Sequence, residues 1–322
     1  DRLLGLPVIK INTGVASDNG LSEPALLDED GDRIIDTIYA GDLKGNVWKF
    51  DVSASNAGTW NNTGNRMVLF TATDASSNPQ PITGALEIGA PPSGTGDYMI
   101  YFGTGKYLGN TDIGDKSVQT AYGLLDSGSA ISGRSALQSQ EFVYEGVRTA
   151  TDTSQIRVAS DHAVTYTGAS AQRGWYLDLL SPNTPAALGE RIVSVPLLRF
   201  GRVILTSIVP SDAPCDQGGY SWITELDAMT GARLAYSVFD YNGDGTFDAS
   251  DYAASAVTGL AASSPVSSKK LASEGLMKSP TVISAGEVEY KVGSGTAGGI
   301  VVVTEKGTTG SPRTSWRQIF AP

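Results

Sequence analysis

A stretch of thirteen residues, Tyr39–Asp51, decides the fold; it reads YAGDLKGNVWKFD. We interpret it as a strand, a tight turn and a second strand that carries a Trp. The segment Glu225–Ala232, which reads ELDAMTGA, has the same order: a strand ends, a turn follows and the next strand begins. Both segments therefore predict hairpin units of a β protein.

The rest of the chain also alternates short apolar runs with turn residues. Short apolar runs broken by Gly, Asn, Asp and Ser are frequent, whereas helical periodicity is hard to find. Strands at this frequency predict an all-β sandwich, barrel or propeller. The predicted strands are Ile35–Ala40, Gly45–Val52, Arg66–Ala72, Tyr98–Gly103, Thr120–Leu125, Glu141–Val147, Gly174–Leu180, Arg202–Ile208, Tyr220–Leu226, Arg233–Phe239, Thr281–Ser284, Glu287–Val292, Gly299–Thr304 and Thr314–Ile319.

A weak internal repeat favours the propeller. Each unit has a small residue and a proline, an apolar strand, a turn and a second β-branched strand, and proline is best tolerated at the first residue of a strand. At roughly 40–50 residues per blade, the length predicts about seven blades, with loops at Asp126–Gly133 and Ala253–Lys270. The units start at Ser22–Leu27, Ser194–Leu198 and Ser279–Ile283 and continue into Thr37–Gly41, Arg202–Thr206 and Gly299–Thr304.

Composition limits the function classes. The 322 residues carry a net charge of −11, and nucleic acids and anionic membranes both attract Lys and Arg, so neither is expected as a partner. No run of eighteen apolar residues occurs, so we expect no membrane insertion. The single Cys215 excludes an internal disulfide, and the single His162 removes the commonest catalytic base. We expect residues 1–322 to be one β-propeller domain, a fragment or mature product of a longer protein.

The segment Asp240–Asp251, which reads DYNGDGTFDASD, has the spacing of a calcium loop of the EF-hand type. A hard cation takes six to eight oxygens at roughly 2.4 Å, and Gly245 at position six permits the sharp turn that wraps them. The apolar run before the loop reads as a strand, so the loop is expected within a β protein. The predicted ligands are Asp240, Asn242, Asp244, Thr246 through its carbonyl, and Asp248, with Asp251 at the place of the bidentate Glu.

A second, weaker calcium candidate is the acidic segment Asp28–Asp36. Arg33 occupies the glycine position there, where a positive φ is disfavoured, and its charge could replace the cation. A solvated hairpin turn is therefore the favoured interpretation of this segment. Its candidate ligands are Asp28, Asp30, Asp32 and Asp36.

Several short sequence segments, taken in order, resemble the C-terminal propeller domain of the PilY/PilC family of type IV pilus biogenesis proteins and tip adhesins. Each segment alone is a weak match to the family, but the ordered series covers most of the chain. The segments are Tyr39–Asp51, Tyr101–Leu108, Gly174–Leu179, Gly189–Ser194, and Cys215 with Gly218–Trp222 and Glu225–Asp227.

The resemblance implies a modified seven-bladed, quinoprotein-like propeller and calcium-dependent control of pilus extension and retraction. It also implies that the chain is the C-terminal fragment of a longer secreted protein. A role in twitching motility and surface attachment at the pilus tip is implied as well. Pilins, minor pilins and a host or abiotic surface are the implied partners, and Ca2+ is the implied cofactor. The Arg-Gly-Asp tripeptide of some members is absent from this sequence, so integrin binding by that route is not implied.

Two rival functions belong to other classes. A quinone-dependent dehydrogenase would hold calcium at a cofactor in the propeller channel and commonly uses a vicinal Cys pair, which this chain lacks. A carbohydrate-binding propeller would bind glycans in a chelator-sensitive way. We therefore expect a protein that is not an enzyme.

Scattered polar and aromatic residues have weaker functional interpretations. His162 beside Asp161 has no nucleophile at a recognisable spacing and is expected at the surface or in packing. Asp178 and Asp227 are the carboxylates considered for a glycosidase pair, but their separation cannot be read from sequence. Aromatic residues inside strands are expected to pack between blades rather than stack on a ligand; they are Trp48, Trp175, Trp222 and Trp316.

Overall fold

The computed structural model describes residues 8–15, 18–92, 98–184, 186–213 and 216–307. Helix is almost absent from these residues: the α-helix α1 is Ser255–Thr258, and short 3-10 helices are Ala57–Thr59, Thr63–Asn65, Asn110–Gly114, Arg134–Ala136 and Ala249–Asp251. The strands are β1 Ala25–Leu27, β2 Thr37–Gly41, β3 Asn46–Asp51, β4 Arg66–Thr71, β5 Glu87–Gly89, β6 Tyr98–Gly103, β7 Thr120–Asp126, β8 Gln138–Gln140, β9 Phe142–Val147, β10 Gln155–Ala159, β11 Gly174–Asp178, β12 Leu197–Arg199, β13 Arg202–Pro210, β14 Gly219–Asp227, β15 Ser268–Leu271, β16 Thr281–Ala285, β17 Val288–Ser294 and β18 Ile300–Lys306.

These strands form four sheets. The first sheet is the antiparallel meander β1-β2-β3-β4, and the fourth has the order β16-β17-β18. The second sheet has the order β5-β6-β7-β11-β8, and the third has the order β12-β13-β14-β15-β10-β9. The β9–β10 hairpin therefore leaves the second sheet to join the third, after which β11 returns and pairs with both β7 and β8.

The Tyr39–Asp51 stretch forms the predicted hairpin, β2 and β3, and Asp42 holds its turn together. The fully buried Asp42 carboxylate accepts hydrogen bonds from the backbone N–H groups of Lys44 and Asn46 and from Trp48 Nε1. Gly45 has φ +83°, and a Cβ there would lie 2.7 Å from the carbonyl oxygens of two neighbouring residues, Ala72 and Gln80. The turn therefore requires both the acid and the glycine.

Apolar clusters lie between successive sheets. The rings of Phe70 and Tyr122 join the first sheet to the second, with centroids 5.3 Å apart. Trp175 of the second sheet donates Nε1–H to the Ala228 carbonyl, 2.9 Å away, beside the third sheet. The cluster between the third and fourth sheets includes Ile204, Ile223, Phe239, Val301 and Val303.

The predicted strands agree with the observed ones except at Arg233–Phe239 and Thr314–Ile319, and the latter lies outside the described residues. The prediction of a strand at Arg233–Phe239 is wrong. Of this segment, Phe239 alone forms a bridge, to Glu305, and Val238 and Phe239 are buried against the third and fourth sheets. The end of this run is therefore apolar because it is buried between two sheets, and not because it forms a strand.

Two other expectations are revised. The Ala253–Lys270 segment is not all loop, because it contains α1 and the start of β15, whose Ser268 hydroxyl accepts a hydrogen bond from Thr224 inside the third sheet. The described residues form four sheets, so the expected seven blades are not confirmed. The second and third sheets contain five and six strands, compared with the four strands of a regular blade.

A buried group of charges joins the third sheet to the fourth. Lys291 Nζ lies 2.5 Å from Glu305 Oε2, 3.4 Å from Glu289 Oε2 and 3.5 Å from Glu225 Oε1. Arg202 Nη1 lies 3.1 Å from Glu225 Oε2, and all five side chains are nearly inaccessible to solvent. Burial, together with the neighbouring Glu225 carboxylate, raises the pKa of Glu305 well above its usual value.

Lys291→Met should destabilise the protein strongly. The substitution keeps an apolar stem but removes the cation that pairs with the buried Glu305, and breaking a buried ion pair costs about 3–5 kcal/mol. Urea unfolding should show this loss in the free energy of unfolding. Lys278→Met, at an exposed lysine, is the matched control and should change little; equal unfolding midpoints for the two variants would contradict the charge cluster.

Candidate metal loops

Strand β18 fixes the start of the Asp240–Asp251 loop. The N–H of Lys306 donates to the Val238 carbonyl at 2.8 Å, and the N–H of Asp240 donates to the Thr304 carbonyl at 3.3 Å. These two bonds flank the Phe239–Glu305 bridge, so residues 238–240 lie alongside the edge strand β18. The first predicted ligand, Asp240, is therefore hydrogen-bonded to a strand of the fourth sheet, although the segment before the loop is not the predicted strand.

The Asp240 carboxylate organises the first half of the loop. Its Oδ1 accepts the N–H of Gly243 at 2.7 Å, and its Oδ2 accepts the N–H of Gly245 at 3.1 Å. Both glycines have positive φ, +75° and +76°. This is the turn that the glycine at position six predicted.

The next two predicted ligands continue the pattern. Asn242 Oδ1 accepts the N–H of Asp244 at 3.1 Å, and Asp244 Oδ1 accepts the N–H and the hydroxyl of Thr246 at 2.7 and 2.6 Å. These hydrogen bonds from Thr246 hold the pKa of the exposed Asp244 carboxyl below its usual value.

The two acids at the end of the loop have different surroundings. Asp248 is exposed and caps the 3-10 helix Ala249–Asp251, accepting the N–H of Ser250 at 2.8 Å. Asp251 is fully buried, and its two oxygens accept the N–H groups of Tyr241 and Asp248. Burial raises the pKa of Asp251. In this structure Asp251 closes the loop by joining its two ends.

The Asp28–Asp36 segment, between β1 and β2, has the same hydrogen-bond pattern. Asp28 Oδ1 accepts the N–H of Gly31 at 2.7 Å, and its Oδ2 accepts the N–H of Arg33 at 2.8 Å. Arg33 has φ +75°, nearly the value of Gly245 in the other loop. The sequence objection to Arg33 is therefore answered by the structure: the residue adopts the left-handed conformation despite its side chain.

The remaining acids of this segment also match. Asp30 Oδ1 accepts the N–H of Asp32 at 3.0 Å, and Asp36 Oδ2 accepts the N–H of Glu29 at 2.8 Å. In the Asp240–Asp251 loop, Asp251 likewise accepts the N–H of the second loop residue, Tyr241. Within the described residues, Asp28, Asp30 and Asp36 are the one set of three or more Asp, Glu, His or Cys side chains with ligand atoms all within 4.8 Å of one another. Asp32 bonds the N–H of Ile34 instead.

The other sequence candidates are occupied by structural contacts. Asp178 pairs with Arg134 at 2.6 Å, and Asp227 accepts the backbone N–H groups of its own turn. His162 is exposed, with Nδ1 3.0 Å from the Ser139 carbonyl. Trp48, Trp175 and Trp222 are buried in packing, whereas Cys215 and Trp316 lie outside the described residues.

Sequence reasoning missed the contribution of Arg148, which is about a hundred residues away from the loop along the chain. Its Nη1 donates to the Ser250 carbonyl at 2.6 Å and to the Tyr252 carbonyl at 3.3 Å. No local spacing signals such a contact. The described residues contain no helix with the length and apolar character that spanning a bilayer requires.

Comparisons with known proteins show which family this chain is similar to. A family model described as the PilY1 beta-propeller domain matches residues 7–148. A type IV pilus biogenesis factor PilY1 homolog of Xylella fastidiosa is 39% identical over 220 residues, which are 66% of this chain and 14% of that protein. The type IV pilus biogenesis factor PilY1 of Pseudomonas aeruginosa strain PAO1 is 35% identical over 272 residues, 74% of this chain and 23% of that protein.

A solved structure gives the same result. The crystal structure of the Pseudomonas aeruginosa PilY1 C-terminal domain superposes with a TM-score of 0.72 at 27% identity, covering 92% of this chain and 62% of that one. The all-β fold and its match to a PilY1 propeller domain are thereby confirmed. The chain spans less than a quarter of the length of the two curated relatives.

Gly245→Ala tests the loop conformation independently of any metal. No atom lies within 4 Å of a Cβ built on Gly245, so the cost would come from the left-handed backbone alone, about 1–2 kcal/mol. Urea unfolding in the presence of a calcium chelator should show this loss. Gly299→Ala, at an equally open glycine without a positive φ, is the control. Equal stability of the two variants would contradict the described turn.

Proposed function

Because the chain belongs to the PilY1 family of type IV pilus biogenesis factors, we propose that it is a calcium-binding module controlling pilus extension and retraction. The family is one of pilus biogenesis factors rather than of enzymes. The module would act outside the cell at the pilus tip, exported through the periplasm, and contribute to twitching motility and surface attachment. Pilins and minor pilins are its proposed partners.

Calcium binding is supported chiefly by the oxygen pattern of the Asp240–Asp251 loop. Asp240, Asn242, Asp244 and Asp248 would supply side-chain oxygens, and Thr246 its carbonyl. The left-handed Gly243 and Gly245 already allow the required turn. Calcium would supply the positive charge that screens these neighbouring carboxylates from one another.

A second calcium position at Asp28–Asp36 is also proposed. The observation that favours it is the approach of the Asp28, Asp30 and Asp36 ligand atoms to within 4.8 Å of one another. The hydrogen bonds around Asp28 repeat those around Asp240. The two loops would then be two similar cation sites on different sheets.

The proposed control is a local electrostatic switch. Without a cation, the acids of each loop repel one another, and backbone N–H groups provide only part of the compensation. A bound cation would hold the loop closed and so change the surface that the module presents to pilus subunits. Extracellular calcium modules have dissociation constants of about 10⁻⁴ to 10⁻³ M, and calcium sensors bind more tightly.

The seven-bladed form stays part of the proposal. Four sheets packed in succession are in keeping with part of a radial arrangement, and the chain matches 62% of the solved PilY1 domain. The quinone-dependent dehydrogenase alternative is disfavoured by family membership, and a carbohydrate-binding role has no particular contact in its favour.

Calorimetric calcium titration should separate the two sites. The unaltered protein should bind two ions, Asp240→Ala and Asp28→Ala should each bind one, and circular dichroism should keep its β character. Asp51→Ala, at the exposed acid that ends β3 outside both loops, is the control and should bind two ions. If Asp240→Ala still binds two ions, the proposed site at Asp240–Asp251 is refuted. If Asp28→Ala still binds two ions, the proposed site at Asp28–Asp36 is refuted.

The role in the pilus requires a test in cells. In a bacterium with type IV pili, the full-length protein carrying Asp240→Ala should alter surface piliation or twitching, because the loop can no longer be closed by calcium. The Asp51→Ala protein should support normal motility. Normal piliation and twitching with Asp240→Ala would separate the loop from pilus function.

A further inference from the structure

Arg148 connects the two ends of the Asp240–Asp251 loop to the β9–β10 turn, residues 148–154. It is nearly buried, and its Nη1 donates to the carbonyls of Ser250 and Tyr252, on either side of Asp251. Its Nε lies 2.5 Å from Asp152 Oδ2 within the turn. One guanidinium thus binds the end of the loop on one side and a different hairpin on the other.

The start of the loop meets the same side chain. The guanidinium carbon of Arg148 lies 4.9 Å from the ring centroid of Tyr241, the second loop residue. Lys269 Nζ, on β15, lies 5.0 Å from the same ring. A cation above an aromatic ring is attracted to the face of the ring, so the charges of Arg148 and Lys269 both help to hold Tyr241 in position.

Asp251 completes the connection. It accepts the N–H of Tyr241 at one end of the loop, and its flanking residues at the other end are bound by Arg148. The separation of the two ends, and hence of Asp240 from Asp248, therefore depends on where the guanidinium lies. Residues outside a metal's ligand set that orient it in this way typically change its affinity by 10–100-fold when substituted.

We propose that Arg148 is a positioning residue for the calcium loop and couples calcium occupancy to the order of the β9–β10 turn. The proposal rests on the proposed calcium function. Coupling of this kind is reciprocal: if the turn holds the loop in its binding shape, a bound ion must stabilise the turn by the same free energy. The outer strand of this hairpin, β9, is the edge of the third sheet, so the ion's effect would reach a sheet edge.

Arginine suits this role better than lysine. A planar guanidinium can donate to two carbonyls and a carboxylate at once in a fixed geometry, whereas an ammonium is a compact charge on a flexible stem. Arg148→Lys keeps the charge near Tyr241 but loses the fork. Asp152→Asn keeps the guanidinium and removes its charged partner, with a smaller disturbance of packing.

Calcium calorimetry tests the positioning role. Arg148→Lys should lower the affinity of the Asp240–Asp251 site about tenfold, and Asp152→Asn should lower it less. To isolate this site, all variants carry Asp28→Ala. Arg173→Lys is the matched control: Arg173 Nη2 also donates to two carbonyls, those of Leu125 on β7 and of Ser129 in the loop that follows it. This contact lies at the second sheet, so calcium affinity should not change.

Hydrogen exchange tests the coupling. Calcium should slow amide exchange of the 148–154 turn in the parent protein, and this protection should be reduced in Arg148→Lys and Asp152→Asn. Equal calcium affinity of the Asp28→Ala protein with and without Arg148→Lys would overturn the inference and leave the proposed function standing. So would the absence of any calcium-dependent protection of the 148–154 turn. A parent that binds no calcium at this site would instead refute the proposed function.

Discussion

Aspartates that accept hydrogen bonds from the backbone N–H groups of their own turns shape this protein around its candidate sites. A tight turn directs several N–H groups inward, and each must find an acceptor. Asp42 meets this need in the first hairpin, Asp227 after β14, and Asp240 in the metal loop. Because such turns bring the backbone into left-handed conformations, a glycine follows the acid, as Gly45 and Gly245 do.

The same arrangement gives the two acidic loops their chemistry. Backbone N–H groups donate to both carboxylate oxygens of Asp28 and of Asp240, which fixes these side chains in place. Asp28, Asp30 and Asp36 then come within 4.8 Å of one another, although like charges repel. The Asp28–Asp36 turn therefore gathers carboxylate oxygens, which are the kind of ligand that a hard cation prefers.

Charges buried between the sheets connect the loop to the rest of the PilY1-type fold. Strand β18 carries Glu305, which pairs with Lys291, and its neighbouring Thr304 carbonyl binds the N–H of Asp240. On the other side, Arg148 joins the loop to the third sheet. The loop is therefore attached to the edges of two sheets, so that its conformation depends on how those sheets pack.

The amino-acid sequence alone determined the all-β class, the Tyr39–Asp51 hairpin and the positions of both acidic loops, because turn residues and short-range carboxylate contacts are local. It did not reveal β15, whose Ser and Lys residues are polar, or the entry of the β9–β10 hairpin into the third sheet. It also assigned a strand to Arg233–Phe239, where an apolar run is buried without a ladder. Tertiary structure decided these features and the contact of Arg148 with the loop. The pairing of β10 with β15 and the hydrogen bonds of Arg148 join residues about a hundred positions apart, and no local pattern encodes which distant partner a buried side chain will meet.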